Sequence, residues 1–303
     1  MKNIIFILLF PLFLIADYLV VDSSPVGSIG NGFIIINNIS KSFEQNFIIG
    51  DNKHITEFPL YMNSDSNDKI QLKISNFSTL LNGEESIDVK LYYKNVNGSY
   101  KQIHDAEAIT LQGNRDGKSI IGYIKIETEK ISDTQTFGRY TLLDTINVRL
   151  GDKWSNNASF KIDADVSLVA VAGFTSTNSY KKGEEFISST VKFNKLSFDI
   201  NKIEQPLYVK SNSNNIFKIT FNNTPDLLLD GIDNKNRIAM KYYYKKNSNN
   251  YHQIIAKRSF DVVNGKNSGS TPIGRLLFET EKIKETMLAG KYNTSISVSV
   301  YAQ

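Results

Sequence analysis

"IGYIKIETEKI" runs from Ile121 to Ile131, and "IGRLLFETEKI" runs from Ile273 to Ile283. The ends, IG and ETEKI, are identical, while the middle keeps only its apolar character: Ile124 and Ile126 become Leu276 and Phe278. A strand with one buried face changes in this way, because its inward positions need bulk and not identity. The likeness spreads in both directions. "FPLYMNSDSND" from Phe58 answers "QPLYVKSNSNN" from Gln205, and "IDVKLYYKNVNGSYKQI" from Ile87 answers "IAMKYYYKKNSNNYHQI" from Ile238. "FGRYTLLDTINVRL" from Phe137 answers "AGKYNTSISVSVYA" from Ala289. The chain therefore reads as an internal duplication.

Each half is built of short alternating runs: "KIQLKIS" from Lys69, "IDVKLYY" from Ile87, "IGYIKIE" from Ile121 and "TINVRL" from Thr145. Turns such as "LNGEE", "VNGS" and "QGNRDG" separate them, and no window holds a helical apolar stripe. About seven short strands per half predicts an all-β protein of two tandem immunoglobulin-like, pilin-type β-sandwich domains. The expected boundaries are a signal peptide over 1–16, a first sandwich over 17–151, a linker over 152–166 and a second sandwich over 167–303.

Composition agrees with a folded, exported protein. Of 303 residues, 41% are hydrophobic and 22% charged, and 18 Phe and 15 Tyr against one Trp favour sheets. The net charge of +4 is mild, without a dense basic block, which argues against a nucleic-acid partner. The opening "MKNIIFILLFPLFLIA" reads as a secretory signal ending at Ala16: its apolar run is short and interrupted by Pro11. A lipid-anchored or uncleaved N-terminal helix is the alternative. With no cysteine, disulfides and thiol chemistry are excluded.

Little in the sequence points to catalysis. His54, His104 and His252 sit in no metal-ligand spacing and read as surface or turn residues. Glu127 and Glu129, repeated as Glu279 and Glu281, put paired carboxylates on one strand face, where a cation or acid–base site is conceivable. Lys125 shares that face, so a solvated face is the better reading. "QGNRDG" lacks a calcium-loop pattern, and phosphate loops and nucleophile elbows are missing. No catalytic residue, metal site or cofactor is predicted, and the chain reads as a non-enzyme.

The stretch between the halves is the informative one. In "FKIDADVSLVAVAG", Phe160, Ile162, Ala164 and Val166 alternate strictly with Lys161, Asp163 and Asp165 before a second apolar run begins. Alternation over seven residues predicts a strand with one face buried and the other, with Lys161, Asp163 and Asp165, wet. Since "SLVAVAG" suffices to begin the second sandwich, the linker carries an extra strand. An inter-domain linker or the second domain's own edge strand is the other reading.

With this segment in view, the second half resembles the subunits of the colonization factor antigen fimbriae of enterotoxigenic bacteria, the cysteine-free alpha class of chaperone–usher pili. The resemblance rests on "FKIDADVSLVAVAG" leading into the first strand, on "VKSNSNNIFKITFNNTPDLL" from Val209, and on the closing "AGKYNTSISVSVYAQ" from Ala289. It covers Ser159 to Gln303, and the first half more loosely through the repeat. It implies subunits that lack their last strand and receive a neighbour's N-terminal strand in the open groove. It also implies export through the periplasm to a surface fimbrium, with a periplasmic chaperone, an outer-membrane usher, other pilus subunits and a host-cell receptor, which a glycan could supply, as partners. On this resemblance Phe160, Ile162, Ala164 and Val166 are the donor-strand residues, completing the first module from within the chain. Family subunits have one such domain, whereas this chain has two.

After Ala16 the chain begins "DYLVVDSSPVG", which aligns with "SLVAVAG" and has no donor segment ahead of it. The expectation is a tip or minor adhesive subunit; if Tyr18 to Val21 served as a short donor, a shaft unit would result. A secreted glycan-binding sandwich outside any pilus is a second class, with Tyr92, Tyr93, Tyr243 and Tyr244 as its candidate aromatics. A periplasmic pilus chaperone is a third, opposed by the similarity of the two halves.

Overall fold

The computed structural model describes residues 19–26, 34–64, 69–75, 79–104, 107–111, 120–133, 135–178, 186–187, 190–229, 236–246 and 250–302. The predicted signal segment, "QGNRDG" and Tyr18 lie outside the described residues. Two compact units emerge. Unit 1 comprises residues 1–45, 52–130 and 139–164; unit 2 comprises 46–51, 131–138 and 165–303.

The first strands are β1 (Leu19–Asp22), β2 (Ile34–Ile36), β3 (Ile39–Ser42), β4 (Ile55–Ser64), β5 (Ile70–Ser75) and β6 (Thr79–Asn82). There follow β7 (Glu85–Asn95), β8 (Lys101–Ile103), β9 (Ala108–Leu111), β10 (Ile120–Thr128), β11 (Gly138–Leu150), β12 (Lys153–Trp154) and β13 (Ala158–Val166). Next come β14 (Ala170–Gly173), β15 (Phe186–Ile187), β16 (Lys202–Ser211), β17 (Ile216–Phe221), β18 (Leu227–Leu229) and β19 (Arg237–Ile238). The last are β20 (Met240–Lys246), β21 (His252–Gln253), β22 (Ser259–Asn264), β23 (Asn267–Ser268), β24 (Gly274–Thr280), β25 (Tyr292–Asn293) and β26 (Val298–Ala302). The described residues hold no helix, and the fold is all-β, as period-2 patterning requires.

Strands of unit 1 follow the path β2-β1-β4-β10-β7-β6-β11-β13-β3, with β5 and β12 also on β11, β9 on β5 and β8 on β7. The long β7 turns the corner between the layers of the sandwich: its first residues pair β6 and its later ones pair β10 and β8. At the β6–β7 turn Gly83 takes a positive φ of 63°, which a tight hairpin demands. Alternation in β5 sends Ile70, Leu72 and Ile74 inward, where they bury completely or nearly so with Leu91, Ile124 and Ile146.

In unit 2 the strands run β15-β14-β16-β24-β20-β21, with β23 on β16. A second sheet is β22-β17-β26 and a third β19-β18-β25. Phe217, Ile219, Tyr242, Leu276 and Phe278 form its core, with Tyr242 and Phe278 meeting edge to face at 5.7 Å.

The letters repeated between Ile121–Ile131 and Ile273–Ile283 make the same contacts in each unit. A Cβ on Gly122 would lie 2.6 Å from the Lys94 carbonyl oxygen, and one on Gly274 would lie 2.5 Å from that of Lys245, so both positions need glycine. The Thr128 hydroxyl accepts the His54 N–H at 2.9 Å, and the Thr280 hydroxyl accepts that of Asn201 at 2.9 Å; both threonines are buried. Glu127 pairs with Lys53 and Glu279 with Lys202, while Glu129 pairs with Lys90 and Glu281 with Lys241.

Candidate functional site

β13 lies between β11 and β3. It runs parallel to β3, with Phe160 opposite Ile39 and Ile162 opposite Lys41. Phe160 and Ile162 are fully buried and Ala164 nearly so, and the Phe160 ring sits 6.3 Å from that of Phe58. The structure thus brings three of the four donor-strand candidates into unit 1. Val166, also buried, falls in unit 2 and bridges Phe47 in parallel.

One polar position departs from the expected wet face. Asp163 is 8% exposed, held by the Thr141 hydroxyl at 2.6 Å and the Lys161 ammonium at 2.8 Å. Burial pushes its carboxyl up, but the hydrogen bonds from Lys161 and Thr141, with the Lys161 and Arg139 charges, hold it below its ordinary value.

The corresponding place in unit 2 differs. β17 pairs with β22 and β26 as β5 pairs with β9 and β11. Among the described residues, however, β26 has no second neighbour. By the first residue of β26 opens a groove of about 1270 Å³, lined by residues 190–196, by 292–296 and by Val298. Phe174, Phe221, Tyr242 and Phe278 line it as well.

Both walls alternate. Val191 and Phe193 on one side, and Tyr292, Ile296 and Val298 on the other, are only half-buried, with polar residues between them. The matching walls in unit 1 are covered: Ile39, Ile146 and Val148 are 0% exposed. A strand laid along the groove would add backbone hydrogen bonds and complete the burial of these side chains. At roughly 1.5–3 kcal/mol for each side chain fully buried, even partial gains at five positions amount to several kcal/mol before ordering costs.

The other candidates take ordinary places. His54 is half-buried and donates its backbone N–H to Thr128, while His104 and His252 are exposed. Among the described residues no group of three or more His, Cys, Asp or Glu could hold a metal ion. The Glu127 and Glu279 side chains are only 15% and 16% exposed, more covered than a solvated strand face would leave them. The hydrogen bond from Lys53 holds the Glu127 carboxyl low against the effect of burial. Tyr244 is buried, and Tyr92, Tyr93 and Tyr243 are half-buried. The Tyr92 ring receives the Lys125 ammonium at 4.2 Å, so it is engaged within the sheet surface. The groove itself went unpredicted in position, because it is defined by which strand lies beside β26 and not by a residue motif.

No described protein family matches the chain, and no curated protein does. Among solved structures it is similar to the CsuC–CsuE chaperone–tip adhesion subunit pre-assembly complex of archaic chaperone-usher Csu pili from Acinetobacter baumannii. That match has 13% identity and a TM-score of 0.46, over 87% of this chain and 98% of the other. It is similar also to CfaE, the adhesive subunit of CFA/I fimbria of enterotoxigenic Escherichia coli, at 12% identity and a TM-score of 0.34, over 87% and 92%. The CooA pilin subunit from enterotoxigenic Escherichia coli aligns at 17% identity and a TM-score of 0.30, over 50% of this chain and 99% of that one. At such identities and TM-scores these likenesses carry no functional weight, and the groove must speak for itself.

Proposed function

We propose that this protein is a non-enzymatic subunit of a surface fibre of the chaperone–usher kind, assembled by strand addition and placed at the fibre tip. One observation carries the reading: the lane between β3 and β11 holds β13, whereas in unit 2 β26 is paired on one side alone among the described residues and an open groove with an aromatic lining begins at its first residue, Val298. A half-covered groove with an unpaired strand edge invites aggregation, so it needs a partner strand at every stage. During export that partner is a periplasmic chaperone, and an outer-membrane usher then exchanges it for the donor strand of the next subunit. Phe160, Ile162 and Ala164 act as the chain's own donor, so unit 1 needs no outside strand.

A count of donors among the described residues supports the tip position. β13 is used inside the chain, and β1 is already paired on both sides, antiparallel to β4 and parallel to β2. Val20 and Val21 are buried there, which favours the tip over the shaft alternative. Among the described residues this leaves an acceptor and no free donor, the arrangement a fibre-ending subunit would have. Unit 1 would then face the host receptor. Immunogold labelling of intact cells tests the position: gold at fibre ends is the expected pattern. Gold along the shafts, or on no fibre, overturns it.

A further inference from the structure

Unit 2 contains two short pieces of chain that the first half of the sequence supplies, residues 46–51 and 131–138. Each is a loop between strands of unit 1: the first leaves β3 and returns to β4, and the second leaves β10 and leads into β11. Phe47 and Ile131 are fully buried and Ile49 nearly so, which is core burial and not the surface course of an ordinary connection. The two loops are also tied to each other. The Gly50 N–H donates to the Ile131 carbonyl at 2.9 Å, and the Ile131 N–H donates to the Asp51 carbonyl at 3.0 Å. Gly50 takes a φ of +82°, and a Cβ there would stand 3.2 Å from Asp133 Oδ1.

Together they cover a run of four consecutive polar residues, Lys210, Ser211, Asn212 and Ser213, each at most 3% exposed. Polar groups are buried only with partners, and the loops supply them. The Lys210 ammonium donates to Asp133 at 3.2 Å, and the Asn212 carbonyl accepts the Phe137 N–H at 3.2 Å. The Asn212 side chain accepts the Val169 N–H at 2.7 Å and donates to the Ser167 carbonyl at 2.9 Å. That segment is in turn laced to the first loop. The Phe47 N–H donates to the Asp165 carbonyl at 2.8 Å, and the Phe47 carbonyl accepts the Ser167 N–H at 2.7 Å. Taking the loops away strands a buried ammonium and a buried carbonyl and bares the seats of Phe47 and Ile131.

The dependence runs one way. Unit 1 is assembled from residues 1–45, 52–130 and 139–164 and takes nothing from the chain beyond Ala164. Unit 2 needs two loops whose ends are fixed by β3, β4, β10 and β11, and a loop held at both ends costs less to order than a free one. We infer that residues 46–51 and 131–138 form a folding checkpoint: unit 2 closes its core only on a chain whose unit 1 has already folded. In the fibre reading above, on which this last step alone rests, a chain with a defective unit 1 presents no acceptor groove and is left out of the fibre.

Hydrogen exchange of the full chain, read by mass spectrometry along a urea series, tests the checkpoint. Peptides over 145–150 report unit 1 and peptides over 216–221 report unit 2, both from paired strands. Leu72→Ala opens unit 1 at lower urea, since Leu72 is fully buried there. The checkpoint predicts that no molecule then has unit 1 exchanged and unit 2 protected. Ile219→Ala, in the core of unit 2, should give the converse species, with unit 2 exchanged and unit 1 protected. Phe47→Ala, which tests the loops without touching unit 1, should raise exchange of 216–221 at least about tenfold and leave that of 145–150 unchanged. A population of Leu72→Ala molecules with unit 1 open and unit 2 protected overturns the checkpoint, and so does unchanged exchange of 216–221 in Phe47→Ala. None of these outcomes involves fibres. One-way coupling in a protein that immunogold finds on no fibre removes the assembly reading and leaves the checkpoint standing.

Discussion

At the residue scale, ETEKI recurs because nearly every letter has a fixed contact. Thr128 and Thr280 each satisfy a backbone N–H from a neighbouring strand. Thr128→Val or Thr280→Val keeps the shape and removes the acceptor, and should cost about 1–3 kcal/mol in urea unfolding. Phe160→Ala should cost about 3–5 kcal/mol, as for other buried aromatics. Ile162→Asp, placing a carboxylate at a fully buried position, should abolish soluble export. Export and melting like the parent would remove β13 from the core. Asp163 gives a pH test. Its carboxyl is lower in the folded state than in the unfolded chain, so its contribution is present above roughly pH 4 and fades as pH falls through the folded value. Asp163→Asn should therefore flatten the acid side of the stability profile and leave its neutral-to-alkaline shape unchanged.

At the scale of elements, the strands of the repeat were legible because alternation and turn residues lie within a few positions of each other. β5, β7, β10 and β11 stand where "KIQLKIS", "IDVKLYY", "IGYIKIE" and "TINVRL" predict them. The alternation of Phe160, Ile162 and Ala164 announced β13 in the same way. Asp163 was misjudged as wet, because a polar residue reads as exposed until its Thr141 partner, on another strand, is known. The groove was illegible for a related reason. It depends on which strands are neighbours, and pairing partners are not written in local pattern. The unequal strand environments predict unequal hydrogen exchange. Amides of 294–296, which lie between β25 and β26, should exchange at least about tenfold faster than those of 145–150, which lie within a paired strand. Equal protection would mean that the groove side of β26 is covered in the free protein.

At the scale of the whole molecule, the account makes one unit complete and the other dependent on a partner strand. Cores without cysteine rest on packing and pairing alone, so a missing strand shows directly in stability. The most direct measurement is calorimetry of the full chain carrying a second copy of residues 158–166 on a flexible tether after Gln303. The tether raises the local strand concentration and needs no knowledge of the natural donor. The account predicts that the melting transition of unit 2 rises and that protease cleavage within 190–196 is suppressed. It predicts that both gains vanish when the tethered copy carries Ile162→Asp, while unit 1 melts unchanged throughout. If unit 2 melts at the same temperature with and without the tethered strand, the groove accepts no strand and the central claim is contradicted.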